Sequence, residues 1–287
     1  MGLFMSDDAY GATVAKRQLA RRLTELRHAS GHTANHVCDL LGWGRGKVGR
    51  FEANLWKRPE MSDIRDLLRI YQVDDAECAE LEELALLARL RAWWRDYPDV
   101  FENEFPGFEG DAVRIRVFMP LLVPGLLQTR DYMEAHLRFG ARPPTWRQRA
   151  MMARLRRQEV LDRVDGTLPV VEAVITEASL MYRWGSKADR YDQIGHLIEL
   201  AARPNIDLRI QRFEDGPPQG MFSPVNLFDL PGSQPGIVFT ETDTAIQEVS
   251  QPELVESYGH TFDRASEAAL EPLDTTAYLR FLAQRLE

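Results

Sequence analysis

The residues best equipped for chemistry near the start of this chain are cationic. Arg45, Lys47 and Arg50 fall within six consecutive positions. Arginine can donate two hydrogen bonds to guanine O6 and N7, a pairing worth about 1–3 kcal/mol of base discrimination. A lysine ammonium is a point charge better suited to a phosphate. Residues 14–58 hold ten Lys or Arg against three acids, Glu25, Asp39 and Glu52, so this window is +7 in a chain of net charge −9. A basic block on an acidic body is the charge layout of a DNA-binding head. Arg45 and Arg50 are the expected base contacts; Thr33, Lys47, Lys57 and Arg58 are the expected phosphate contacts. A second set of cations, Arg147, Arg149, Arg154, Arg156, Arg157 and Arg163, lies further on. It suits a solvated or internally paired helix face, a second nucleic-acid face, or a surface for a small acidic protein partner. Glu172 or Glu177 could hold Arg154 or Arg157.

Other chemistries have little to stand on. His32 and His36 are four apart, but no third ligand is close in sequence, so no metal is expected. Cys38 and Cys78 form neither a CxxC pair nor a metal spacing, and they read as small hydrophobes. Gly44–Gly49 matches GxGxxG, yet a dinucleotide site needs a preceding strand, and here an amphipathic helix precedes it. There is no GxSxG elbow and no HExxH. The expectation is no catalytic site, no cofactor and no enzyme activity. No run approaches 18 apolar residues and the first residues lack a basic n-region, so the protein is expected to be cytoplasmic, off the membrane.

The elements that must position Arg45 and Arg50 are short helices. Leu19, Leu23 and Leu26 make one apolar stripe on a first helix, about residues 14–29, ended by Gly31. Thr33 caps a second helix with Val37, Leu40 and Leu41 inward, and Gly42 stops it. A third is expected from Gly44 or Arg45 to Asn54, weakened by two internal glycines at about 1 kcal/mol each. A fourth follows Pro59. The tight joint between the second and third is the helix-turn-helix device, which presents the third helix to a major groove.

The run LARRLTELRHASGHTANHVCDLLGWGRGKVGRFEAN, residues 19–54, resembles the XRE-type, lambda-repressor-like helix-turn-helix. The resemblance rests on Arg27, Gly31, Thr33, Leu41-Gly42, Glu52 and Asn54. It implies a structural Arg27–Glu52 ion pair and base contacts from the start and middle of the third helix. The sequence departs from that family at His32, at Ala34 where glutamine is usual, and at Gly44, Gly46 and Gly49 where Ser or Thr is common.

Beyond the head (14–72), residues 75–97 read as one connecting helix, either a packing strut or a dimerisation helix. Residues 99–287 read as a larger α+β domain with a small sheet covered by helices. Strands are expected at 170–175, 206–213, 225–230 and 236–240, and helices at 144–164, 191–201, 252–269 and 273–286. Residues 113–117 fit either type, and 99–111 read as loop. Val123-Pro-Gly-Leu-Leu-Gln-Thr129, with Arg91-Ala-Trp-Trp94 and Arg203-Pro-Asn205, resembles the uncharacterised domain behind the helix-turn-helix of antitoxin-like regulators from high-GC Gram-positive bacteria. Val123, Pro124, Gly125, Leu126, Leu127 and Gln128 are either a packed corner or a surface for a ligand or partner. The expectation is a transcription regulator acting as a homodimer on a double-stranded DNA operator. An antitoxin-like protein that captures a small partner and a small-molecule sensor stand as alternatives.

Overall fold

The computed structural model describes residues 11–56, 58–164, 168–232, 234–242 and 245–286, in two units that divide between Arg95 and Asp96. The first unit is helical: α1 Ala12–Ala29, α2 Ala34–Leu40, α3 Lys47–Glu52, α4 Met61–Ile70 and α5 Asp75–Ala88. Leu19, Leu23, Val37, Cys38, Val48, Phe51, Ile64, Leu67 and Leu81 close one apolar core. The second helix buries Val37 and Cys38; Leu40, expected inside, is half exposed because α2 ends there and turns away.

Two expectations about this unit are corrected. The segment 75–97 is not one helix. It stops at Ala88, and a separate 3-10 turn covers Trp93–Asp96. Leu81, Ala85 and Ala88 are buried in the head's own core, so α5 spends its apolar face within the head. The third helix also starts later than expected, at Lys47. Gly46 caps it in the left-handed region, φ 81°, a conformation that costs an L side chain about 1–2 kcal/mol. Gly46 is therefore a turn device, and only Gly49 is a glycine inside the helix.

The second unit is built on a mixed six-stranded sheet. Its strands are β1 Arg114–Met119, β2 Val170–Thr176, β3 Ile206–Gln211, β4 Val225–Asp229, β5 Ile237–Glu241 and β6 Ile246–Val249, in the order β3-β2-β1-β4-β5-β6. The pairs β1–β2 and β2–β3 are parallel, and β4 to β6 are added antiparallel. Parallel neighbours need crossovers. α7 Arg130–Arg138 and α8 Pro144–Gln158 lie between β1 and β2, and α9 Glu177–Met181 and α10 Lys187–Ala201 between β2 and β3. Residues 113–117 resolve as strand, and the expected loop at 99–111 contains α6, Phe105–Asp111. The helix expected over 144–164 ends at Gln158 in a 3-10 turn, and β6, with its exposed residues, lacks the alternation that would reveal a strand. Two helices end the chain, α11 Pro252–Glu267 and α12 Pro272–Gln284.

Side chains alternate across a strand, so the sheet sorts its residues by parity. Phe118, Val225, Leu227 and Val238 pack with Phe262 and Ala265 of α11. The intervening residues Ile115, Val117 and Met119 face the other layer, formed by α6 and α8. There Phe105 meets Phe228 and Phe239, each with ring centroids 5.2 Å apart.

The glycine assignments predict opposite effects of one change. Neither Gly46 nor Gly49 has a neighbour that an added Cβ would meet. Gly46→Ala should destabilise the head by about 1–2 kcal/mol, and Gly49→Ala should stabilise it by about 1 kcal/mol. Calorimetry of the two variants checks this; shifts of the same sign would show that the helix start is misplaced.

Candidate nucleic-acid interface and domain cavity

The head is tied together at one point by Arg27. Its Nε donates to Glu52 Oε1 at 2.5 Å, its Nη2 to Glu52 Oε2 at 3.1 Å and its Nη1 to the His32 carbonyl at 2.8 Å. Helix α1, the entry to α2 and the end of α3 are thereby held by one guanidinium. The left-handed Asn54, φ 57°, then turns the chain away. Arg45 lies in the turn before α3, not on its first residue, and Arg50 lies on the helix; both are exposed. Among the described residues neither side chain has a protein partner. Arg58 is exposed as well, and Lys57 lies outside the described residues.

Two expected phosphate contacts have local work. Thr33 Oγ1 accepts from the His36 backbone N–H at 3.2 Å, so the hydroxyl caps α2 and keeps its proton for a second partner. Lys47 Nζ donates to Asp63 Oδ1 at 2.7 Å and sits 3.9 Å from the centroid of the Trp43 ring. Its charge is already matched inside the head. His32 and His36 stack with centroids 5.2 Å apart, and among the described residues no three potential metal ligands gather.

The second unit holds a cavity of about 540 Å³ between the sheet and the α6–α8 layer. One wall is the sheet face bearing Ile115, Val117, Met119 and Asn226. Another is the corner Val123–Leu126 with Gln128, and a third is the face of α8 carrying Trp146, Ala150, Arg154 and Arg157. Those four residues recur at intervals of four, four and three, one helical stripe. The expected VPGLLQ surface is thus a corner and a cavity wall at once. Val123, Leu126, Leu127 and Gln128 are buried, and Leu127 packs behind the wall without lining it. Gln128 Nε2 donates to the Val123 carbonyl at 2.6 Å. Gln158 Nε2 reaches the carbonyls of Gly125, Leu126 and Gln128, clamping the corner to α8.

The arginines of the 144–164 segment do not share one face. Arg149 is exposed and pairs with Asp99 at 2.7 Å, and Arg156 pairs with Glu159 at 2.9 Å. Arg154 and Arg157 point inward. Neither meets Glu172 or Glu177, because those carboxylates are taken elsewhere: Glu172 by Arg114, and Glu177 by the Tyr278 hydroxyl and the Phe213 N–H. Arg157 instead donates from Nε and Nη2 to the buried Glu109, at 2.6 and 2.7 Å. Burial alone would lower the Arg157 guanidinium, but the field and hydrogen bonds of Glu109 outweigh it and raise it. Glu109 was invisible in sequence because it sits in a stretch read as loop.

Arg154 has no such carboxylate. Its Nη1 approaches Gln128 Oε1 and His136 Nδ1, each at 3.3 Å. Burial, then the neighbouring Arg157, push its guanidinium down to about 10, against a smaller opposing pull from Glu241. Burial, then Arg154, push the His136 imidazole down to about 4, so the ring is neutral at neutral pH and Nδ1 can accept.

Comparison with known families fits this division. The family described as "Domain of unknown function (DUF5753)" matches residues 103–280, and "Helix-turn-helix domain" matches residues 18–81. The chain belongs to the DUF5753 family. No curated protein and no solved structure matches it. The helix-turn-helix match takes in α2, the joint and α3 and reaches into α5, in keeping with α5 as part of the head. The DUF5753 match spans the sheet and the cavity lining from Asn103 onward. Among the described residues no helix is long and apolar enough to cross a membrane.

The neutral His136 predicts an acid-sensitive DUF5753 domain. As pH falls below about 6.5 the unfolded chain takes up a proton that the folded ring refuses until about 4. Stability from this group is therefore full above pH 6.5 and declines as pH falls toward 4, by up to about 3 kcal/mol. The urea midpoint of wild type should fall more steeply than that of His136→Gln as pH is lowered from 7 to 4.5; parallel pH profiles would refute a neutral His136.

Proposed function

We propose that this DUF5753 protein is a sequence-specific transcription regulator, whose head reads a double-stranded operator and whose DUF5753 domain receives the input. The observation that carries the DNA-reading half is the pair of exposed guanidiniums at Arg45 and Arg50, without partners among the described residues and set in and after the helix-turn-helix joint of a strongly basic segment. Most other arginines of the head are paired: Arg22 with Glu25 and Glu77, Arg27 with Glu52, Arg65 with Glu82. Leaving two cations free at the one place where a groove would be read is what base recognition requires.

Phosphate contacts fall to Arg58, Lys57 and the free proton of the Thr33 hydroxyl. Lys47 contributes mainly to the field, because Asp63 already holds it. A recognition helix of six residues covers few base pairs. Two heads on a palindromic site supply the missing length, which favours a homodimer.

In vitro selection of DNA sites by the full chain, repeated with the head deleted, tests the reading. Selected sites should be palindromic and should vanish with the head. Arg50→Ala should cost about 1–3 kcal/mol on the selected site and relax one base position. Binding should weaken steeply as salt rises, since phosphate contacts release counterions. An Arg50→Ala protein with unchanged selectivity would end the assignment of that residue as a base reader.

A further inference from the structure

The cavity of the DUF5753 domain has features of a built ligand site. Its volume, about 540 Å³, lies in the range of roughly 300–1,000 Å³ typical of small-molecule pockets. Its lining is about evenly polar and apolar, and Ile115, Val117, Met119 and Leu126 on one side with Trp146 on α8 supply the apolar part. Such walls suit an apolar body.

The polar residue that stands out is Arg154. A guanidinium placed this deep loses hydration and is retained only with compensation. Its neighbour Arg157, one turn along α8, has both oxygens of Glu109. Arg114, Arg116, Arg209 and Arg212 of the same domain each have a carboxylate too. Among the described residues, no carboxylate lies within ion-pair distance of Arg154. Gln128 and His136 both engage its Nη1. They orient the group and leave the edge formed by Nε and Nη2 without a protein partner. That edge is the one that grips a carboxylate or sulfonate with two parallel hydrogen bonds.

The walls also limit the charge of the occupant. Glu102, Glu109 and Glu241 line the same cavity. Arg157 is spent on Glu109. Glu241 is partly held by Asn226, whose Nδ2 donates to it at 3.2 Å. Among the described residues one positive group is open and carboxylates stand around it, so a polyanion such as a nucleotide is repelled and a single acid group is accepted.

We infer that this cavity binds a small amphipathic monoanion, an organic acid with an apolar aliphatic or aromatic body, its acid group on Arg154 and its body against Val117, Met119 and Trp146. This deepens the proposed input to the DUF5753 domain and rests on that reading only for its regulatory meaning. Binding itself is independent of DNA.

Fluorescence titration of the full chain with 1-anilinonaphthalene-8-sulfonate, an aromatic monoanion, tests the site against N-phenyl-1-naphthylamine, which has the same body without the charge. One sulfonate should bind per chain, at least tenfold more tightly than the neutral probe. Arg154→Met should weaken the sulfonate by at least tenfold and change the neutral probe less than twofold. Arg149→Met, an exposed arginine of the same helix, should change neither, and far-UV circular dichroism verifies that both variants are folded. Decanoate should displace the sulfonate and decanol should not. Equal affinity for the two probes, or a sulfonate affinity untouched by Arg154→Met, overturns the inference. Loss of operator selection with this site intact would overturn the DNA reading alone.

Discussion

Much of the DUF5753 domain turns on the desolvation of charge beneath its helical layer. Two guanidiniums, Arg154 and Arg157, are driven against the sheet because α8 presents them on the stripe that also carries Trp146 and Ala150. Burying a cation costs several kcal/mol unless a partner repays it. Glu109 repays Arg157 in full, two oxygens against two nitrogens, and in doing so joins α6 to α8. Phe105 of α6 lies under the same guanidinium, 4.8 Å from it, and packs its other side into Phe228 and Phe239. Ion pair, helix placement and aromatic core are one arrangement. Arg154, beside it, is left with neutral acceptors, and a cavity lies in front of it.

The head solves a related problem with a single tie. Arg27 reaches α3 and the entry to α2 at once, so one guanidinium holds both sides of the helix-turn-helix joint. The cost of a short recognition helix is met by this tie and by Phe51 against Trp43 and Trp56. Conformation at Gly46 then sets where the helix begins. Stability in this unit comes from side chains that point into its core, and Arg45 and Arg50 take no part in it.

The head was largely legible in the chain because its signals are local. Thr33 caps within three residues, Gly31 and Asn54 take left-handed turns in place, and the Leu19–Leu23 stripe repeats at helical spacing. The errors there were local too. Gly44–Asn54 reads as one continuous helix despite its glycines, and the left-handed Gly46 interrupts it. In the second domain the apolar strands at 170–176, 206–211 and 225–229 were visible because hydrophobic runs between turn residues mark them. β6 was not, since its exposed edge position imposes no alternation. The partner of Arg157 was not either, because Glu109 is 48 residues away and lies in a helix whose glycines and proline read as loop.

By itself, the sequence determined a basic helix-turn-helix head and an α+β domain behind it, since charge, caps and periodicity act between neighbours along the chain. The tertiary structure decided which arginines are used up and which are open. Ion pairing depends on distances through space, and nothing in the spacing of Arg154 and Arg157 distinguishes the paired guanidinium from the one that faces a cavity. That difference is made by the fold of α6 across the sheet, which brings one carboxylate to one of the two.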